Sequence, residues 1–523
     1  MIHTKEKLTM KKLLVLLLAF ALCIPAFAAC DANGAGTNQN GETTNPITET
    51  EPETEAETEP ETDAETIQIP DEGLKFRSNG NGTCDLTSIG NYKDTDVVIP
   101  SVSPAGDTVT RIVDFAFYNC SSITSVTIPD SVTEICRWAF QGCTSLESVT
   151  IGNGVESIGY DAFDGCSSLE SVTIPDSVES IGSGAFEKCT SLTSVTLGNS
   201  LEIIDGGTFS GCTSLESVAI PDSVTSIGNS AFAGCTSLTS VTIPDSVESI
   251  GDYAFRNCQS LTSIAIPDSV ESIGCDAFEK CTKLIEKENG VSYVDGWAMD
   301  FDASVVNVNL REGTRGIAGY AFNSSSELIS VTIPEGVKSI GDWAFRTCTS
   351  LTSITIPGSV KSIGVEAFQG CSSLASVNIG SGVKSIGENA FSSCLKIAEI
   401  NVDSGNEYFS SIDGNFYNKD ATILIKYAVA KTDTSFVIPN SVTSIVDDAL
   451  WGAMTLVTVT IPGCVESFGD RAFEYCYELE SINYGGTKSQ WNAISKGENW
   501  NGSTGSYTVT CTDGALSEYG SEG

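Results

Sequence analysis

The chain has 523 residues, more than one compact core usually covers, so it is either several domains or an extended array of repeats. Its formal charge is −41, with 27 basic residues against 68 acidic ones. Such an excess argues against docking on nucleic acid or on anionic lipid, both of which need clustered Lys and Arg. The only histidine, His3, lies at the extreme N-terminus, which leaves no Ser-His-Asp or Cys-His mechanism and none of the commonest zinc sites to the rest of the chain.

Lys11 and Lys12 precede an apolar run from Leu13 to Ile24, and Ala26, Ala28 and Ala29 follow. Residues 1–29 therefore read as a secretory signal, too short to span a membrane. A start at Met10 puts both lysines directly before the apolar stretch and leaves His3 out. Two processing routes stay open. Cys30 after two alanines resembles the lipobox of bacterial lipoproteins, which implies lipid attachment at Cys30 and a chain tethered at the cell surface, although Phe27 stands where that motif prefers Leu. Cleavage after Ala28 in an Ala-x-Ala site instead yields a freely secreted protein.

Residues 30–72 follow as a Thr/Glu/Pro stalk. Residues 31–72 hold 13 acids and no Lys or Arg, with almost nothing apolar to bury, so the stalk is expected to stay disordered and extended by self-repulsion. About 40 residues at roughly 3.3 Å each reach on the order of 130 Å. The remaining chain still carries a charge of −31, so acidity belongs to the folded part as well and favours solubility.

From residue 73 the sequence repeats at 23 residues. An N-terminal cap and first coil occupy 73–119, regular repeats occupy 120–394, the last repeats occupy 438–483, and a C-terminal cap and tail fill 484–523. SLTSVTIPDSVESIGDYAFRNCQ from Ser237 superimposes on SLESVTIPDSVESIGSGAFEKCT from Ser168, and cysteines recur at 23-residue steps from Cys120 to Cys281. A fixed period marks a solenoid, in which each unit buries its apolar face only against its neighbours. Within one unit Val241 and Ile243 alternate with Ser240 and Thr242, the period-2 pattern of a short strand with one buried face. Pro244 and Asp245 stop it, and Val247 and Ile250 point inward again. The segment DYAFRNC suits one to two helical turns, with Asp252 as N-cap and Ala254, Phe255 and Cys258 on one face. Thirteen markers, twelve Ala-Phe pairs and Thr208-Phe209, together with a degenerate one at Ala449 and Leu450, count about fourteen coils.

The pattern L-x-S-V-x-I-P-x-S-V-x-S-I-G-x-x-A-F-x-x-C resembles the BspA-type leucine-rich repeats of bacterial surface proteins, over roughly residues 95–483. INYGGTKSQWNAISKGENW resembles the closing segment of clostridial members, and EGLKFRSNGNGTCDL their opening. The resemblance implies a leucine-rich-repeat solenoid, α/β and β-dominated, with a parallel sheet of short strands on one face and short helical turns on the other. It also implies adhesion to host matrix proteins or other cells, without catalytic residues.

Two segments break the register. Leu284 to Gly316 holds a coil without its Ala-Phe turn, and residues 395–437 contain SSIDGNFYNKDATILIKYA, read as two strands around Asn418 to Asp420 that project from the stack. Both carry aromatics expected at the surface, Tyr293, Trp297, Tyr408, Phe416, Tyr417 and Tyr427, and loops on a rigid scaffold are where binding concentrates. The strand face itself offers columns of hydroxyls, among them Ser240, Thr242, Ser353 and Thr355. These suit a ligand-binding sheet face, and equally a tightly curved sheet with no ligand. A third row is charged and changes sign, from Glu156, Glu179, Glu202, Glu248 and Glu271 to Lys338, Lys361 and Lys384.

Nineteen cysteines in an exported chain suggest disulfides, but those of the repeat share one inward position, where buried reduced thiols pack well. Coil spacing also permits pairing of neighbours. No cofactor, metal site or phosphate-binding motif is apparent. Three functions remain: a surface protein whose solenoid binds a protein or glycan, a structural spacer or self-assembling coat, and a polysaccharide-acting enzyme using a carboxylate pair.

Overall fold

The computed structural model describes residues 73–516. The signal segment, Cys30, the stalk and the last seven residues lie outside the described residues. The rest is a β-solenoid of about 19 turns of about 23 residues, rather than the fourteen that the Ala-Phe markers count, because several coils lack that marker.

Every regular coil makes two short strands. In the coil of Ser237 these are Ser240–Thr242 and Ser249–Ile250. Val241 and Ile250 are buried while Ser240 and Thr242 face solvent. Pro244 closes the turn between the strands by accepting a hydrogen bond from the Val247 amide at 3.1 Å. Because the chain repeats at 23 residues, each strand meets its equivalent in the next coil. Ser240–Thr242 lies parallel to Ser217–Ala219 on one side and Ser263–Ala265 on the other. Ser249–Ile250 does the same with Ser226–Ile227 and Ser272–Ile273. Gly251 lies where two coils approach closely, so that an added Cβ would stand 2.7 Å from the Asn229 backbone nitrogen.

The third side of the coil is not helical, which corrects the expectation of helical turns. The residues two before and two after each buried Phe are left-handed: Tyr253 has φ 57° and Asn257 φ 62° around Phe255. An α-helix cannot pass through such residues. The amides point along the stack instead. Phe255 donates to the Ala277 carbonyl at 2.8 Å, Tyr253 to Cys275 at 2.8 Å and Asn257 to Glu279 at 2.7 Å, forming a third coil-to-coil ladder. The physical reason is spacing. Packed helices need 8–10 Å between axes, whereas the rings of the Phe row stack at 4.7 to 5.7 Å from Phe117 to Phe278, with nearly parallel planes. The single helix among the described residues, Lys488–Ala493, belongs to the closing segment and starts with a capping box of Thr487 and Gln490.

The cysteines of the row complete the turn side. Cys235 donates its thiol proton to the Phe209 carbonyl one coil back at 3.2 Å, and Cys258 to Phe232 at 3.2 Å. Burial pushes the Cys235 thiol up to about 12, so it stays protonated. All seventeen cysteines among the described residues are free.

Four antiparallel elements interrupt or cap this array, the last of them a closing hairpin of Thr508–Cys511 and Gly514–Ala515. A hairpin of Lys75–Ser78 and Thr83–Ser88 begins it. The first interruption is a meander of Glu286–Glu288, Val291–Val294 and Trp297–Phe301, turning at Asn289-Gly290 and Asp295-Gly296. The second is a meander of Phe409–Ile412, Asn415–Asn418 and Ile423–Lys426, turning first at Asp413-Gly414. All these turns use consecutive left-handed residues, the geometry that suits the twist of two-residue hairpins. The second meander has three strands, not two, and does not project: Ile423–Lys426 enters the ladder beside Ser444–Ile445.

Phe255→Ala removes one ring between Phe232 and Phe278, each 5.3 Å away, and should cost about 3–5 kcal/mol. Urea denaturation followed by circular dichroism measures this as a loss of stability in the coils around the substitution.

Candidate functional site

The aromatics expected to be exposed in the two interruptions are mostly core. Tyr293, Trp297, Phe416, Tyr417 and Tyr427 are each at most 1% exposed. Tyr293 is covered by the Arg311 guanidinium 4.3 Å above its ring, and its hydroxyl accepts from the Arg311 amide at 3.2 Å. Trp297 fills the space beside Gly316, where any Cβ would collide with its ring. Phe416 packs against Phe409 at 5.2 Å, and Tyr427 against Phe436 at 4.6 Å. These side chains replace the missing Phe turn as filling, so no partner reaches them. Only Tyr408 is open, at 45%.

The hydroxyl columns do face solvent. Ser240, Thr242, Ser353 and Thr355 are exposed on the first strands of two coils, one on each side of the first interruption. Neighbouring first strands from Ser148–Thr150 to Ser263–Ala265 repeat the same small residues, which leaves little on this face to distinguish one coil from the next. The charged row is also exposed. Glu179 donates its amide to the Glu156 carbonyl at 2.9 Å and Lys361 to Lys338 at 2.7 Å, so like charges stack directly. The sign changes at the first interruption, where Arg315 bridges Asp268 at 2.8 Å and Asp295 at 3.1 Å.

A different surface carries variable chemistry, and the sequence reading missed it. The left-handed position two residues before the buried Phe is Gly184, Gly207, Ser230 or Asn389 in several coils, residues that tolerate this backbone. In the first coils it is Phe115, with φ 64°, and Trp138, with φ 58°. Bulky residues there are strained, by roughly 1–2 kcal/mol each. Phe115 and Trp138 stack at 4.9 Å and 13°. Tyr118 meets Phe115 edge-on at 5.5 Å, and Tyr160 meets Trp138 edge-on at 5.6 Å. Phe115, Tyr118 and Tyr160 are 51%, 47% and 45% exposed. The Arg137 guanidinium lies 5.4 Å from the Trp138 ring centre and bridges Asp114 at 3.2 Å. The Asp161 carboxylate holds the Tyr160 phenol above its ordinary range, so its hydroxyl remains a neutral donor. Smaller groups recur at the same position, Tyr320 against Trp343 at 5.3 Å, and Tyr253 under Arg256 at 5.2 Å. The signal was visible as the variable letter before Ala-Phe.

No helix among the described residues is long and apolar enough to cross a membrane, and no group of His, Cys, Asp and Glu among them is arranged to hold a metal ion.

Among solved structures the chain is similar to a leucine-rich repeat protein from Bacteroides ovatus, at 25% identity over 84% of this chain and 98% of that one, with a TM-score of 0.41. It is also similar to a leucine rich cell surface protein from Faecalibacterium prausnitzii, at 29% identity over 81% and 96%, with a TM-score of 0.34. A leucine-rich repeat protein of T. pallidum matches at 30% identity over 40% and 87%, with a TM-score of 0.31. No curated protein matches significantly. The BspA type leucine rich repeat region matches residues 110–238, 202–296, 298–423 and 426–497, most of the array described above, and the chain belongs to this family.

Proposed function

We propose that this protein is a cell-surface binding protein whose solenoid captures a protein partner at the turn edge of its first coils. The observation that carries this reading is the cluster of Phe115, Tyr118, Trp138 and Tyr160 with Arg137. Trp, Tyr and Arg are the residues that dominate binding hot spots. Two of the rings occupy a backbone conformation that glycine or asparagine fills without strain elsewhere in the array. Strain retained at an exposed position points to use of the side chain, not to folding. The hydroxyl columns at Ser240, Thr242, Ser353 and Thr355 offer a second, more uniform surface suited to a glycan, and Tyr408 a single exposed ring near the second interruption. The reading assigns no catalytic residue and no cofactor.

Trp138→Asn with Phe115→Asn separates binding from folding. Relief of left-handed strain offsets the lost stacking, so stability should stay within about 1 kcal/mol of the wild type. Capture of a ligand from an array of host matrix proteins and glycans should fall at least about tenfold, with each hot-spot ring contributing on the order of 2 kcal/mol. Undiminished capture by the double variant would remove the turn edge from the account. Ordered self-assembly with no capture by the wild type would select a structural spacer instead.

The surface location rests on the signal segment and on Cys30. Attachment of a diacylglyceryl group there tethers the chain to the membrane. Cys30→Ala should move the protein from the membrane fraction to the medium, and unchanged membrane retention would argue against this anchor.

A further inference from the structure

The two interruptions are built alike but close differently. At the first, Gly319 donates to the Ile273 carbonyl at 2.9 Å, so the coil after the meander rests on the coil before it. At the second, Ser385–Ile386 pairs with Ser362–Ile363 and is the last strand of its sheet. Ile423–Lys426 begins the next stretch of ladder with Asn415–Asn418 on its other side. Between them the stack opens into a cavity of about 560 Å³, within the size range of small-molecule sites.

Its walls are largely apolar, formed by Ile386, Phe391, Phe409, Ile423, Ile445 and Phe468. One interior group is cationic. Lys426 is 4% exposed and donates one hydrogen bond, to the Asp448 carbonyl at 2.6 Å. An ammonium has three donors, and that of Lys426 enters no ion pair among the described residues. The nearby Asp448 carboxylate is committed elsewhere: Arg471 donates to it at 2.9 and 3.3 Å, and the Ser392 hydroxyl at 2.5 Å. Burial pushes the Lys426 ammonium below its ordinary range, against the opposing pull of the nearby Asp448 carboxylate, the cost of a cation taken out of water beside an anion already shared with Arg471. Glu388 and Asp447 also line the cavity but are exposed, and water screens them.

We propose that this cavity binds a small apolar molecule ending in a carboxylate, with the carboxylate on the Lys426 ammonium and the apolar body against Phe391, Phe409 and Phe468. The carboxylate supplies acceptors for the ammonium's remaining donors and a negative charge that Arg471 does not share. The site is independent of the turn-edge cluster, so either can fail without the other.

Titration calorimetry of the full chain with octanoate and with octan-1-ol tests this. Octanoate should bind at one site per chain and at least about tenfold more tightly than octan-1-ol, as a charge-assisted contact requires. Lys426→Met should abolish that preference while leaving octan-1-ol binding in place. Ser444→Phe, which keeps the lysine and fills the cavity, should block both. A cavity that takes up only water, giving no saturable octanoate binding, overturns the proposal. So does equal affinity for the acid and the alcohol, or an unchanged preference in a folded Lys426→Met variant.

Discussion

The spacing between coils, about the 4.7 to 5.7 Å at which the Phe rings stack, is the constraint on which the structure depends. It is the spacing of neighbouring β-strands, and all three sides of each coil keep to it. On two sides the backbone does so as short parallel strands, and on the third as left-handed turns whose amides reach the next coil. Each side chain in a coil therefore meets the same neighbour as its equivalents do, Phe on Phe, thiol on Phe carbonyl, and Ser beside Ser. Stability in such an array is local and nearly additive, because a coil has only two neighbours.

The same constraint determines where individuality fits. The inward positions are fixed by packing, and the strand face repeats small hydroxylated residues because every coil presents the same pair of outward positions. The left-handed position before Ala-Phe points outward and is chemically free, although large residues there are strained. The other place for individuality is the seam at an interruption. A meander adds strands without adding the Phe turn, so aromatic side chains such as Tyr293, Trp297 and Phe416 fill the core in its place. Where filling is incomplete, beside Ile423–Lys426, a cavity and a buried lysine remain.

Much of this was legible in the sequence. The 23-residue period, the strand at Ser240 to Thr242, the inward Phe and Cys rows and the family were read directly from spacing and motif. The helical turns were misread because DYAFRNC has apolar residues at helical spacing, while the left-handed backbone at Tyr253 and Asn257 follows from stacking between coils and leaves no trace in one coil's composition. Aromatics in irregular segments read as surface residues because their apolar pattern departs from the repeat. Asn289-Gly290, Asp295-Gly296 and Asp413-Gly414 were hairpin signals that place the surrounding residues inside a meander. The cluster of Phe115, Trp138 and Tyr160 went unread because each ring belongs to a different repeat, and only the stack brings them together.

Amide hydrogen exchange on the intact solenoid tests the three-sided ladder most directly. The amides of Phe140, Phe163, Phe255 and Phe345 donate to Ala162, Ala185, Ala277 and Ala367 of the following coil at 2.7 to 2.8 Å. They should exchange as slowly as the strand amides of Val149 and Val241, through opening of whole coils. Exchange at the rate of exposed turns, while the strand amides stay protected, would contradict a stack held on three sides.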